Sequence, residues 1–208
     1  MPVPRATEES SAPAMLQARM TTPWGTIGRR QMTELAMPGI AIGVLGGLIA
    51  GGLAAAGGLA LDVALVTCLA LAIPLAIAGA GYELLLARGR FPLSALTPVA
   101  LYFAVAFPVV RILHGAITDF YAGDPVAVPH GWLDFIVYQV LLSVGFAIGY
   151  WWLHENFAPR WWYHLRDRNP VANHFIRVKL AYADAAEERQ QERKERAQQQ
   201  RERRKRSR

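Results

Sequence analysis

Cysteine is almost missing from this chain: Cys68 is the only one in 208 residues, which excludes a disulfide framework and a thiolate metal site. Charge is scarce as well. Asp, Glu, Lys and Arg supply 18% of the residues against 53% hydrophobic types, a balance foreign to an ordinary soluble domain. From Pro38 to Leu153 the charged residues are Asp62, Glu83, Arg88, Arg90, Arg111, Asp119, Asp124 and Asp134 alone. The opening "MPVPRATEESSAPAM" has no basic stretch running into an apolar core, so a cleaved signal is not expected.

Signatures of chemistry are lacking too. His154-Glu155 would begin the zinc-protease pattern HExxH, but Ala158 stands where the second histidine belongs. His154, His164 and His174 are ten apart, which is off register for one helix face. His114 and His154 each fall near the C-terminal end of their hydrophobic run, and because the two runs cross in opposite directions they lie on opposite sides of the bilayer and do not pair across a haem. No phosphate-binding loop, dinucleotide fingerprint, catalytic triad or paired-aspartate motif accompanies them. The expectation is no catalytic residue, no metal site and no cofactor, and the balance leans away from an enzyme.

What is present is apolar length. Four runs, near Pro38–Leu59, Val63–Leu86, Ala95–Ile117 and Gly131–Leu153, each suffice to cross a hydrocarbon core of ~30 Å as a helix. The fold class read from them is an all-α integral membrane protein with four transmembrane helices. Arg29 and Arg30 precede the first run, Arg88 and Arg90 follow the second, and Arg160, Arg166 and Arg168 follow the fourth. The other two connections carry aspartates and no Lys or Arg. By the positive-inside rule both termini are cytoplasmic. Heavy Ala, Gly and Arg usage is that of high-GC bacteria, which points to the plasma membrane. The division expected is a mobile cytoplasmic arm with an interfacial end (1–36), the membrane bundle (37–158), an interfacial aromatic segment with an amphipathic helix (159–186), and a basic tail (187–208).

The first two runs carry stripes of small residues. Gly39, Gly43, Gly47, Gly51 and Ala55 recur every four positions, with Gly46, Ala50, Ala54 and Gly58 beside them. Ala64, Cys68, Ala72, Ala76 and Ala80 answer on the second. Small residues let helices approach closely in lipid, where packing drives association. The stripes serve either the hairpin or a neighbouring subunit. Asp62 is placed to cap the second helix.

The third and fourth runs hold the polar residues. Arg111 lies inside hydrocarbon, where a guanidinium is costly, and Asp134 has comparable depth. His114 follows Arg111 by three residues, on the same face. Arg111, His114, Asp134, Tyr138 and Asp62 thus make a candidate outer cluster: a structural ion pair, or a site for a ligand, proton or partner. After the fourth run Pro159 is expected to break the helix. Trp151, Trp152, Trp161, Trp162 and Tyr163 then read as an interfacial collar. Asn169-Pro170 makes a turn, and Val171, Phe175, Val178 and Tyr182 form one modest apolar stripe. The tail from Glu187 carries ten Lys or Arg against five Glu. It is a charged helix or disordered, and suits solvent, anionic lipid or the phosphates of RNA or a ribosome.

The partners expected are the bilayer, other membrane proteins through the helices, and anionic lipid or RNA through the tail. The favoured function is a non-enzymatic subunit, assembly factor or scaffold of a larger bacterial membrane complex. The alternative is a small transporter or membrane enzyme using the Arg111 cluster on an anionic or lipid-derived ligand. A third is a membrane-insertion factor whose tail holds ribosomes.

Overall fold

The computed structural model describes Gly25 and residues 27–127 and 131–206, with side chains through Arg201. The expected arm lies outside these residues up to position 24. Among the described residues the chain is helical with no strand: α1 Arg29–Ala56, α2 Leu61–Ala87, α3 Leu96–Ala122, α4 Trp132–Leu165 and α5 Pro170–Arg206. The first four are long and apolar enough to cross a membrane. Their up-and-down order gathers Arg29, Arg88, Arg90 and the start of α5 at one end, the basic end. Asp62, Asp119 and Asp124 lie at the other.

The glycine stripe is consumed inside the α1–α2 hairpin. A Cβ on Gly39 would collide with the Gly79 carbonyl, one on Gly43 with the Leu75–Ala76 backbone, and one on Gly47 with Ala72. On Gly51 it would meet Cys68 at 2.5 Å. The answering face of α2 is therefore Cys68, Ala72, Ala76 and Gly79, where Ala80 was expected. A step of four residues drifts ~40° round a helix, and a step of three corrects it. Gly58 and Gly89, with φ of 89° and 71°, close α1 and α2 through the paired backbone hydrogen bonds of Schellman turns.

Several boundaries differ from expectation. The division points at 36/37, 158/159 and 186/187 all fall inside helices. α1 starts at Arg29 and runs through Pro38. Pro38 has no N–H for the Glu34 carbonyl, and the Trp161 indole donates to that carbonyl instead, at 2.7 Å. Pro159 does not break α4, which continues to Leu165. One buried stripe runs straight through it: Tyr150, His154, Ala158, Trp162, Leu165. Packing along that stripe outweighs the single backbone bond the proline removes. The chain turns only after Leu165, and Asn169 caps α5 by accepting from the amides of Val171 and Ala172 at 3.2 and 3.3 Å. Pro170 sits at the first helical position, where its missing N–H is harmless. Asp62 is not the cap of α2. It lies within the first turn, the capping position is Ala60 without a side-chain bond, and its carboxylate accepts from the Tyr121 hydroxyl at 2.8 Å.

The main core sits at the basic end. Leu35, Tyr82, Leu86, Val99, Phe103, Tyr150, Trp162, Leu165, Val171 and Phe175 are all buried there, drawn from all five helices. α5 remains helical through Arg206, so the basic tail extends the same helix.

Candidate functional site

The expected outer cluster is only partly assembled. Arg111 donates to His114 Nδ1 at 3.1 Å, one turn along the same face of α3. Receiving at Nδ1 leaves the His114 proton on Nε2, and that atom is buried without a hydrogen-bond partner among the described residues. Asp134 does not join them: it is exposed, and no ion pair links it to Arg111 among the described residues. The reason is helical phase. Asp134 stands five residues before Gln139, the first residue of α4's buried stripe, and so points ~140° away from it. Tyr138 is 59% exposed yet lies near enough to Arg111 to interact with its charge, and Asp62 is held by Tyr121 instead.

The denser polar constellation lies at the basic end. Glu83, in the last turns of α2, is 1% exposed. His154 Nε2 lies 2.8 Å from Glu83 Oε1, but off the N–H axis, so neither carboxylate oxygen nor Nε2 has a regular hydrogen bond among the described residues. The other ring nitrogen, Nδ1, is 3.8 Å from Glu155 Oε1, and the second oxygen of Glu155 takes the Lys179 ammonium of α5. Acid and base alternate along a chain from α2 through α4 to α5. Aromatic rings wall it in. His154 stacks on Tyr150 with centroids 6.0 Å apart, and meets Tyr82 and Trp162 edge-on at 5.8 and 5.5 Å.

Around this chain the first turns of α1 and α5 are tied together. Asn169 donates to the Gln31 carbonyl at 3.0 Å, Gln31 donates to the Arg168 carbonyl at 2.6 Å, and Arg168 pairs with Glu34 at 3.5 Å. Trp162 is fully buried against the ring of Phe175, 4.7 Å away.

The collar reading is corrected accordingly. Trp162 is core, Trp161 donates to a backbone carbonyl, and Trp151 is half-buried with its indole N–H unpartnered among the described residues. Only Trp152 and Tyr163 face outward, at 60% and 52% exposure, Tyr163 beneath the Arg166 guanidinium at 3.9 Å. A helix ending at Pro159 would leave Trp161 and Trp162 at the interface; the continuation of α4 to Leu165 carries them onto the bundle. The sequence expectations do not pair Glu83 with His154, although the up-and-down topology places both at the basic ends of their helices.

Among the described residues no three His, Cys, Asp or Glu side chains gather to hold a metal. An open groove of about 520 Å³ between the α2–α3 connection and the first turns of α3 is lined by Phe91, Pro92, Pro98, Leu101 and Tyr102, with Arg90 as its charged residue. It brings no acid and base together. The arrangement at the basic end fixes helices relative to one another: it is the root of an arm. Comparison with protein families, curated proteins and solved structures finds no match to this chain.

Proposed function

We propose that the chain is a non-enzymatic component of a larger membrane assembly, a subunit, assembly factor or scaffold that holds α5 in a set direction. We place it in the bacterial plasma membrane, and both termini in the cytoplasm, since Arg29, Arg88, Arg90, Arg160 and Arg166 share one end while Asp62, Asp119, Asp124 and Asp134 share the other. The observation that carries this reading is the root. α5 is capped by Asn169, seated by Phe175 on Trp162 and joined by Lys179 to Glu155, and thereafter its surface is exposed almost without interruption to Arg201. A helix anchored so firmly at one end and bare along the rest is a device for presentation. Purification of the full chain in mild detergent is expected to bring down a defined set of other membrane proteins. Recovery of the chain alone, from membranes where it is expressed at its native level, overturns the proposal.

A second reading keeps a specific observation. Arg111 is half-buried with a histidine for a neighbour, and His114 presents a buried N–H without a partner among the described residues. That pair would suit an anionic or lipid-derived ligand of a small transporter or membrane enzyme.

A further inference from the structure

We infer that the exposed half of α5 lies along the headgroup plane and docks on anionic phospholipid through an arginine stripe. The inference rests on the rooted arm and names what the arm touches. Depth comes first. Phe175 meets Trp162 and, further on, Lys179 meets Glu155, so α5 travels back along α4 toward the apolar run that ends at Leu153. By Lys179 it has reached the level where hydrocarbon begins. Ahead of it, positions 184–201 hold ten charged residues, which cannot enter a bilayer core. A helix unbroken to Arg206 keeps those charges in water only if its axis leans away from α4 and follows the surface.

The second observation is which side carries which charge. Val171, Ala172 and Phe175 are buried and Lys179 reaches Glu155, so these residues mark the face seated on the bundle. Continued at ~3.6 residues per turn, that face carries Tyr182, Ala186, Arg189, Arg193, Ala197 and Gln200, with Arg196 at its edge. All seven are exposed. Asp184, Glu188, Glu192 and Glu195 follow a separate stripe about a third of a turn away, with Glu192 touching Arg196 at 3.5 Å. The side turned to the bundle near the root is therefore the side that, beyond the bundle's edge, bears arginines and a tyrosine. At that level the neighbours are phospholipid headgroups, which attract basic side chains when anionic and accommodate tyrosine. A phosphate polymer in the cytosol would have no reason to favour the bundle-facing side.

The test uses the full chain in nanodiscs, on a Cys68→Ala background, with an environment-sensitive dye at Gln200→Cys or Gln191→Cys. In phosphatidylglycerol-containing discs the dye at position 200 is expected to shift to the blue and lose several-fold in access to a water-soluble quencher. In phosphatidylcholine alone, or in molar salt that shortens the Debye length to about 3 Å, it should stay wet. The dye at 191 should stay wet throughout. Replacing Arg189, Arg193 and Arg196 by Gln should abolish the lipid difference. Equal behaviour of both positions, or of both lipids, overturns the inference. So does a response at position 200 to added single-stranded RNA but not to phosphatidylglycerol, which makes the partner a nucleic acid. Co-purification with the triple variant separates this from the function proposed above. Partners retained with no lipid response in the parent sink the lipid inference only; a lipid response with no partners sinks the assembly reading only.

Discussion

At the scale of single residues, the buried Glu83–His154 contact carries the largest expected effect. Removing one member of a buried pair strands the other, at about 3–5 kcal/mol. His154→Leu leaves the Glu83 carboxylate among Tyr82, Tyr150 and Trp162, and should lower thermal stability in detergent steeply. Adding Glu83→Gln removes the stranded charge and should recover much of the loss. Should His154→Leu unfold at the parent temperature, the pair is not a structural lock. Arg111 is the opposite case. With no carboxylate opposite, Arg111→Gln should cost little stability and Asp134→Asn almost none. A stable Arg111→Gln protein that fails to complement a deletion strain would favour the ligand-site reading, whereas an unfolded one would mean that a partner other than Asp134 holds the guanidinium. The sequence could place Arg111 and His114 on one face because three residues make nearly one turn. It could not place Asp134, whose direction depends on the phase at which α4 meets its neighbours.

Elements test packing. Gly39 and Gly52 both lie inside α1, yet a Cβ on Gly39 would strike the Gly79 carbonyl while one on Gly52 has nothing within 4 Å. Gly39→Ala should force α1 and α2 apart, at ~1–3 kcal/mol for overpacking. Gly52→Ala should be neutral or stabilising by up to ~1 kcal/mol, the ordinary helix preference for alanine. Equal thermal shifts for the two would mean the hairpin is not tightly closed along the stripe. This face was legible in the sequence because a run of small residues at fixed spacing has few other uses in lipid. The course of α4 was not. Local chemistry at Pro159 argues for a break, and only the burial of Trp162 and Leu165 against α5 decides otherwise, a contact between residues whose meeting no periodicity reveals. The same holds for Trp161: its role depends on Pro38, more than a hundred residues earlier, having released the Glu34 carbonyl. Trp161→Phe should leave that carbonyl unpaired, at roughly 1–3 kcal/mol, read as a lower unfolding temperature.

For the whole molecule, the question is where the bundle ends. A boundary drawn by charge falls at Glu187, but a boundary drawn by burial falls just after Lys179, because Val171, Ala172 and Phe175 are core and Lys179 supplies the last tie to α4. Two truncations distinguish these lines. Ending the chain after Ala186 keeps every contact of the root, and detergent stability should match that of the full chain. Ending it after Asn169 uncovers Trp162, deprives Glu155 of its ammonium and removes Phe175, whose loss alone should cost about 3–5 kcal/mol as a buried aromatic. That protein should unfold at a markedly lower temperature, with the emission of Trp162 shifted to the red as water reaches it. Orientation is checked on the same backgrounds: an impermeant thiol reagent applied to intact cells should label cysteine at Gly123 and spare cysteine at Gly89. If instead the longer truncation is as stable as the parent, α5 merely rests on the bundle, and neither a set direction for the arm nor its course along the headgroups can be sustained.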